Sequence, residues 1–541
     1  MRNGLTSTSH RSFFAAVLIL ALGACGGPDE AFDHDHSGEG EIPGMGSVSF
    51  ATSCSQDAQP LFQQSVAALH SFWFQEALDG FEAVAAMDPE CAMAHWGVAM
   101  TLWGNPMTRA APPEARIQSA LEAVERARAL SGDITQRERL YIEAVAALYE
   151  GHPEVGHIQR MRAHEAAMLQ VVEANPGDAE AAIFYGRMVV GNAPPDDLTF
   201  SRQLHAAAIM EPLFEEMPEH PGLAHYLIHA YDAPAIAQQG LDAAMRYADI
   251  APDAPHALHM PTHIFTRMGY WEESIELNAR SAQAEPIPDA AVHPLDYMVY
   301  AYLQLGRDGD AAEVLDRVRG ASDAFYGGLI GYNLAAMQAR YPLEKSLWSQ
   351  AAELEAPGEG EPYVEAVTRF ARGLGAARSG DVAAAQAELE AMAGLRDQLR
   401  EVGDDYWATV VEAQRLAAEA WAVYAAGDSE GALRLAREGA ELEATVEKHP
   451  VTPGPLLPAR ELLGDLLMEL DRPVEALEAY EATLAQERNR ARALHGAARA
   501  AEAAGNREAA GRHYGALLEL LEGADEDRPD LLAARAWAEA A

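Results

Sequence analysis

The stretch that decides the fold lies near the C-terminus: GDLLMELDRPVEALEAYEATLAQERNRARALHGAARAAEAAGNREAAGRHY, residues 464–514. In it a small residue is followed twelve positions later by another small residue, and four positions after that by a tyrosine. The pattern occurs twice, 34 residues apart: Gly464, Ala476 and Tyr480, then Ala498, Ala510 and Tyr514. Small residues let two antiparallel helices approach closely, and an aromatic ring fills the gap to the next pair. The spacing therefore predicts a repeating helical hairpin.

This spacing resembles the tetratricopeptide repeat, a helix–turn–helix unit. The frame extends towards the N-terminus, where Pro218, Pro252 and Pro286 follow one another at intervals of 34 residues. Spacing elsewhere is irregular, which indicates that some repeats are degenerate. The resemblance implies an all-α fold, a right-handed superhelix of about ten tetratricopeptide-like helix pairs, that is, an α-solenoid.

Composition agrees with a helical repeat and restricts the partners. Ala, Leu and Glu dominate the 541 residues, which favours helix over strand. A chain of this length exceeds the size of one hydrophobic core, so it forms several domains or a repeat array. The formal net charge of −44 repels phosphate backbones, and nucleic acid is therefore disfavoured as a partner.

Residues 1–24 have the features of an export signal. Arg2 and Arg11 precede an apolar run, residues 13–22, that is too short to span a bilayer. The run ends in Leu22-Gly23-Ala24-Cys25, which resembles the lipobox of bacterial lipoproteins and implies lipidation of Cys25. An ordinary secretory signal is the alternative. No acid follows the cysteine directly, so we expect a cell-envelope protein held by its lipid anchor in the outer membrane, facing the periplasm.

The remaining chain divides by composition. Residues 25–50 are rich in Gly, Asp, Glu, Pro and Ser and predict a flexible tether. The Pro- and Gly-containing segment 355–362 is expected to link an N-terminal array, 51–354, to a C-terminal array, 363–541. Cys54 and Cys91 each precede a predicted repeat, and in an oxidising compartment they are candidates for a disulfide.

Histidines concentrate on consecutive first helices of the repeats, which line the concave groove in a tetratricopeptide fold. His225 follows Pro218 by seven residues, as His259 follows Pro252, so these two histidines occupy the same position in consecutive repeats. His229 and His263 likewise share a position, eleven residues after the proline. Each helix carries an i,i+4 pair whose rings share one face. Adjacent helices pack about 8–10 Å apart, a distance that two inward imidazoles bridge. These four rings are predicted to hold a transition metal: Zn, Cu, Ni or Fe.

Five neighbouring side chains are candidates for further ligands or for groups that orient the ligands: Asp232, His256, His293, Asp296 and Tyr300. A polar groove without metal is the alternative. The sequence contains no His-Glu-x-x-His motif, so a protease mechanism is unsupported.

Groove positions of the first two repeats hold a second set of residues, His70, Trp96, Met100 and Trp103. Their aromatic and thioether side chains form a candidate ligand shelf. Packing in the core is the alternative.

The block Leu69-His70-Ser71-Phe72-Trp73-Phe74 and the stretch Pro221–Gly306 are similar to a group of large bacterial envelope proteins that contain tetratricopeptide repeats. That resemblance implies a scaffold or binding role and no established reaction. The leading hypothesis is an envelope-anchored repeat protein that binds a protein, peptide or small ligand in its concave groove through a histidine-rich, metal-binding centre. The alternatives are a metal-dependent hydrolase or oxidase on the same cluster, and a metal-free protein-interaction scaffold.

Overall fold

The computed structural model describes residues 44–285, 291–318, 328–355 and 360–540. The predicted signal segment, Cys25 and most of the predicted tether lie outside these residues. The described residues form 26 α-helices and contain no β-strand. The helices are α1 (Gln59–His70), α2 (Phe74–Met87), α3 (Ala92–Trp103), α4 (Glu114–Ala129), α5 (Gln136–Ala146), α6 (His157–Ala174), α7 (Ala179–Gly191), α8 (Ser201–Glu216), α9 (Pro221–Tyr231), α10 (Leu241–Ile250), α11 (Pro255–His259), α12 (Pro261–Met268), α13 (Trp271–Ala284), α14 (Val292–Gln304), α15 (Asp308–Val318), α16 (Gly328–Glu344), α17 (Trp348–Ala352), α18 (Pro362–Arg378), α19 (Val382–Glu401), α20 (Asp405–Ala425), α21 (Ser429–Glu443), α22 (Ala459–Glu469), α23 (Pro473–Gln486), α24 (Ala491–Ala503), α25 (Arg507–Leu520) and α26 (Pro529–Ala540).

Consecutive helices pack against each other along the chain, and α18, α20, α22 and α24 also contact one another in turn. The Tyr480 ring of α23 fits between Gly464 of α22 and Gly496 of α24, where a Cβ on either glycine would collide with the ring. The turn after α24 is closed by Gly505, whose φ of 72° favours glycine. The expected α-solenoid of tetratricopeptide-like helix pairs is therefore confirmed.

The end of the predicted tether is part of the core. Met45 is 3% exposed and Phe50 is fully buried against Phe62 and Trp96. The apolar side chains of this segment alternate with glycine and serine, and their burial outweighs the flexible composition. The tether prediction for 25–50 is therefore wrong for residues 44–50.

Two further expectations concern the organisation of the chain. Cys54 and Cys91 form a disulfide, with their Cα atoms 4.7 Å apart. The linker expected at 355–362 overlaps residues 356–359, which lie outside the described residues, and α18 begins at Pro362. Helices α16 and α17 pack on α18, and the described residues form one compact unit, so the two expected arrays are not separate units.

None of the helices in the described ranges has the length and apolarity required to cross a membrane.

Candidate metal centre

Three consecutive groove helices bring six histidines together. Helix α9 begins at Pro221, and the next groove helix is divided into α11 and α12 because Pro261 has no N–H to donate to the preceding turn. The six residues are His225 and His229 on α9, His256 and His259 on α11, His263 on α12 and His293 on α14.

The first triad consists of His225, His229 and His256. Nε2 of His225 lies 3.1 Å from Nε2 of His229 and 3.2 Å from Nε2 of His256. One ring nitrogen from each residue lies within 4.8 Å of the other two. Two nitrogens bound to one ion at the usual metal–nitrogen distance are about 3.0–3.4 Å apart. The spacing therefore suits a shared ion.

The second triad consists of His259, His263 and His293. Nε2 of His259 lies 3.0 Å from Nε2 of His263, and the His259 and His293 ring centroids are 4.4 Å apart. Nδ1 of His293 is buried and has no hydrogen-bond partner within the described residues. The three ligand atoms again lie within 4.8 Å of one another.

Hydrogen bonds to groups outside the triads determine where the imidazole protons lie. Nδ1 of His225 donates to the carbonyl oxygen of His70 at 2.6 Å. In the second triad, Nδ1 of His259 donates to Oδ1 of Asn278 at 2.7 Å, and Nδ1 of His263 to the Asp232 carboxylate at 2.8 Å.

These acceptors have no proton to give in return, so Nε2 of each neutral ring carries a lone pair. The Asn278 amide is itself oriented, because its nitrogen donates to the carbonyl oxygen of Ser274 at 2.8 Å. The facing lone pairs of His259 and His263 thus have no proton between them. Such a contact is repulsive unless a cation lies between the two nitrogens.

Burial keeps the imidazoles neutral. It lowers the pKa of His229 to about 3, and neighbouring imidazoles lower it further. The pKa values of four other rings are lowered well below the usual value for the same two reasons: His225, His256, His259 and His293. Neutral imidazole is the form that binds metal, so these rings are in the ligating form at neutral pH.

The two triads adjoin each other. The His229 and His263 ring centroids are 6.1 Å apart, and those of His256 and His259 are 6.0 Å apart. His229, His256 and His293 are partly exposed, whereas the other three rings are buried. Solvent therefore reaches two members of the first triad and one of the second.

Phe72 covers the first triad. Its ring centroid lies 4.4 Å from that of His225 and stacks on His256 at 5.4 Å. Phe72 adopts a φ of 53°, a left-handed conformation that is unfavourable for a bulky residue. Strain of this kind is tolerated where the surrounding structure requires a particular side-chain position.

Asp232 connects the second triad to three charged side chains. Besides His263 it contacts Nε of Arg267 at 2.9 Å and Nζ of Lys448 at 3.4 Å. Arg267 also pairs with Glu447 at 2.7 Å. Although burial opposes ionisation, Lys448 and Arg267 hold the pKa of Asp232 well below its usual value. Asp232 therefore remains a carboxylate that orients His263, a role foreseen for it.

A further buried group, the glutamate cluster, contains His70, Glu180 and His220. Glu180 Oε2 accepts from Nε2 of His70 at 2.9 Å, and Oε1 from Nε2 of His220 at 3.0 Å. The other ring nitrogens accept protons: Nδ1 of His70 from the Tyr226 hydroxyl at 3.0 Å, and Nδ1 of His220 from the Leu223 N–H at 3.3 Å. Every nitrogen of this cluster has a complementary partner, so it needs no metal.

The residues predicted for α14 are partly wrong. Asp296 contacts Asn333 at 3.2 Å and Arg340 at 3.6 Å, and the Tyr300 hydroxyl contacts Arg490 at 3.3 Å. The helix presents His293 and Tyr297 to the centre, and the Tyr297 hydroxyl lies 3.4 Å from His263. Asp296 and Tyr300 each lie three residues after a side chain that faces the centre, so the predicted register was displaced by three residues, which turns the helix face by about 60°.

The expected ligand shelf is core. Trp96 is 1% exposed and packs on Phe50 and Phe184, and Met100 is also buried. Trp103 stacks on His157, and His70 belongs to the glutamate cluster. The packing alternative is therefore the correct one for this set.

Sequence reasoning missed several residues around the triads: Phe72, Glu180, His220, Asn278 and Tyr297. Phe72, Glu180 and Asn278 lie outside the helices that carry the histidine pattern. His220 lies five residues before His225, and Tyr297 lies four residues after His293 on one helix face. These two short spacings were the signals available in the sequence.

No protein-family model matches the chain, and no curated protein does so either. Solved helical-repeat structures resemble it at low identity. A human IFIT1 dimer with m7Gppp-AAAA is 11% identical over 79% of this chain and 90% of that chain, with a TM-score of 0.36. Yeast Tom70 is 10% identical over 90% and 89%, with a TM-score of 0.29. The P58(IPK) TPR domain is 14% identical over 90% and 99%, with a TM-score of 0.21. The fold assignment rests on the helix pairs themselves.

Proposed function

We propose that this protein binds two transition-metal ions, one in each histidine triad, on its tetratricopeptide-like scaffold. The observation that carries the proposal is the 3.0 Å separation of Nε2 of His259 and Nε2 of His263, while both Nδ1 atoms donate to fixed acceptors. A cation between the two lone pairs turns this repulsive contact into an attractive one. In the first triad only Nδ1 of His225 has a fixed acceptor, so the proposal there rests on the ligand spacing of the three rings around the His225 Nε2 lone pair.

The donor set indicates the class of ion. Imidazole nitrogen favours Cu, Zn, Ni or Fe over Ca and Mg, and Cu²⁺ heads the general order of affinity. Three protein ligands leave a coordination position free for a further ligand. The partly exposed edges of His229, His256 and His293 give a small molecule access to that position.

Elemental analysis of the purified full chain tests the proposal. After incubation with each metal and removal of free ions, we expect two ions per chain. His263→Ala should lose one ion and keep the other. His513→Ala is the matched control, because that ring lies outside both triads and pairs with Glu481 at 3.1 Å, so it should retain both. Absence of stoichiometric metal at neutral pH, or two ions retained after joint substitution of His225 and His259, would refute the proposal.

We also propose that the chain is a lipid-anchored envelope protein facing the periplasm. The disulfide between Cys54 and Cys91 is consistent with an oxidising compartment. Cys25 is the residue that would carry the lipid. Cell fractionation should find the native chain in membranes and a Cys25→Ser chain in the soluble periplasmic fraction. Equal membrane retention of both chains would remove the anchor from the proposal.

The second candidate is a protein-interaction scaffold. Stacked helical hairpins present an extended concave surface, and such surfaces commonly bind proteins or peptides. The two candidates differ in metal content, so the elemental analysis separates them. Turnover assays on the metal-loaded chain would then decide between a binding protein and a hydrolase or oxidase.

A further inference from the structure

A cavity of about 540 Å³ lies beside the segment 446–449, separate from the two triads. Arg267 and Lys448, which both contact Asp232, form part of its wall. Its volume falls within the range of about 300–1,000 Å³ that is typical of small-molecule sites. None of the six triad histidines lines it.

Much of the cavity wall is apolar and aromatic. Phe200, Tyr332, Tyr406 and Val410 line it. Trp407 is fixed in place, because Tyr363 stacks on its ring at 4.7 Å and His449 at 5.3 Å. A rigid aromatic wall of this kind suits the apolar body of a small organic molecule.

The two most buried cations of the wall are already compensated. Arg267 pairs with Asp232 and Glu447, and Lys448 pairs with Asp232. Arg460 is the remaining arginine of the wall. It is partly exposed and forms no ion pair with a described residue.

Two carboxyl groups of the wall have no ion-pair partner among the described residues, although the charges of Arg460 and Arg490 near Glu443, and of Arg267 and Arg490 near Glu487, act against the effect of burial on the pKa of each. Glu443 accepts the Ala459 N–H at 2.8 Å, and no described basic residue forms an ion pair with either Glu443 or Glu487. Burial raises the pKa of Glu443 to about 7, and the nearby Glu487 charge raises it further; burial also raises the pKa of Glu487. Each carboxylate is costly in this environment unless a cation accompanies it.

We propose that the cavity binds a small organic ammonium compound with an aromatic or apolar body. The ammonium group lies between Glu443 and Glu487 and donates charge-assisted hydrogen bonds to them. The body packs against Phe200, Tyr332 and Tyr406, whose ring faces also favour a cation. An alcohol or carboxylate of the same shape lacks the charge that the two glutamates require.

Calorimetry with three probes of nearly equal size tests this: 2-phenylethylamine, 2-phenylethanol and phenylacetate. The amine should bind about tenfold or more tightly than the other two, which is the difference expected when a charge-assisted hydrogen bond is lost. Hexylamine and 1-naphthylmethylamine extend the series to other apolar bodies. Comparable binding of the alcohol, or failure of all three amines to bind at millimolar concentration, overturns the proposal.

Variants locate the site and separate it from the triads. Glu443→Gln with Glu487→Gln should weaken amine binding about tenfold, and circular dichroism should show unchanged helicity. Glu441→Gln, an exposed change in the same helix, is the matched control and should leave binding unaltered. Amines also coordinate metals, so His263→Ala must retain amine binding. Loss of binding in that chain, or retention in the double glutamine variant, places the amine elsewhere.

Discussion

The two histidine triads and the glutamate cluster contain similar side chains, but they differ in which groups the ring nitrogens of their histidines face. In the glutamate cluster, each ring nitrogen of His70 and His220 faces a partner of the opposite kind. In the triads, the Nδ1 atoms of His225, His259 and His263 donate outwards and their Nε2 atoms face other imidazoles. Every ring nitrogen of the glutamate cluster thus has a partner, whereas the contact between Nε2 of His259 and Nε2 of His263 has no proton between the two nitrogens.

Residue composition alone therefore does not identify a metal site. All three groups contain His or Glu within ligand distance of one another. What distinguishes them is the balance of donors and acceptors, which depends on the groups that surround each ring. The triads should therefore respond to metal, and the glutamate cluster should respond to the loss of a single hydrogen-bonding group.

Removal of metal should have the largest effect on stability. An ion present at a thousandfold its Kd and bound only by the folded state contributes about 4 kcal/mol, so chelation of two ions should lower the free energy of unfolding by up to about 8 kcal/mol. Urea unfolding with and without a chelator, at known free metal, measures the change.

Single variants test whether the loss of stability in chelator arises in the triads or in the glutamate cluster. His263→Ala should halve the response to the chelator, because only the first triad then keeps its ion. His220→Ala, in the glutamate cluster, should be less stable in both conditions and keep the full response. If a chelator leaves the free energy of unfolding of the native chain unchanged, the triads do not hold metal and do not differ from the glutamate cluster in this respect.

The next largest effect is expected in the glutamate cluster. Glu180→Gln places an amide N–H₂ against a ring N–H and removes a buried charge, so it should cost about 3 kcal/mol at pH 7. Metal content should stay at its native value. Glu173→Gln, an exposed change on α6, is the control and should be neutral. A fall in metal content with Glu180→Gln would show that the two regions are coupled.

The stability of the chain at acidic pH should depend on the same carboxylate, that of Glu180. Burial opposes ionisation of Glu180, but His220 and His70 lower its pKa from 4.5 to about 2. The folded chain thus binds this proton more weakly than the unfolded chain. The stabilisation is complete above pH 4.5 and is lost as the pH falls towards 2. The stability difference between the native chain and Glu180→Gln should shrink by about 2 kcal/mol between pH 4.5 and 3, measured by urea unfolding in chelator.

A group beyond the metal ligands should have a smaller effect confined to one triad. Asn278→Leu removes the acceptor that orients His259 and should weaken metal binding by the second triad about 10–100-fold. The first triad should keep its affinity. Ser281→Ala is the control on the same helix, because Ser281 bonds to the Pro255 carbonyl and to no histidine. Titration with a competing metal indicator measures both affinities. Unchanged affinity in Asn278→Leu would mean that His259 is not a ligand.

The fold was predictable because its signals are local. Gly464 and Tyr480 lie within one repeat, and their spacing alone specifies how two helices approach. The burial of residues 44–50 was not predictable in this way, since Phe50 packs on Trp96, which lies 46 residues further along the chain. A segment rich in glycine and serine becomes core only through such distant contacts.

The site was predictable where it follows repeat register and unpredictable where it depends on rotation or on distant partners. His225 and His259 were found from their spacing of 34 residues. The division into two triads follows from contacts between helices, because His256 joins the pair on α9 whereas His259 joins His263 and His293. The partners of the rings, such as Asn278 and the His70 carbonyl, come from other elements, and no spacing within the histidine motif encodes them.

The smallest expected effect concerns one hydroxyl of the glutamate cluster. Burial raises the pKa of Tyr226 to about 12, so its hydroxyl is protonated at neutral pH and donates to Nδ1 of His70. Tyr226→Phe keeps the ring but leaves that nitrogen without a donor, which should cost about 1 kcal/mol. Metal content should not change, because Nδ1 of His70 contacts neither triad. Urea unfolding and elemental analysis on the same sample give both values. A large loss of metal in this variant would mean that the glutamate cluster positions the first triad, to which it is linked through the His70 carbonyl, and the two regions would then form one site.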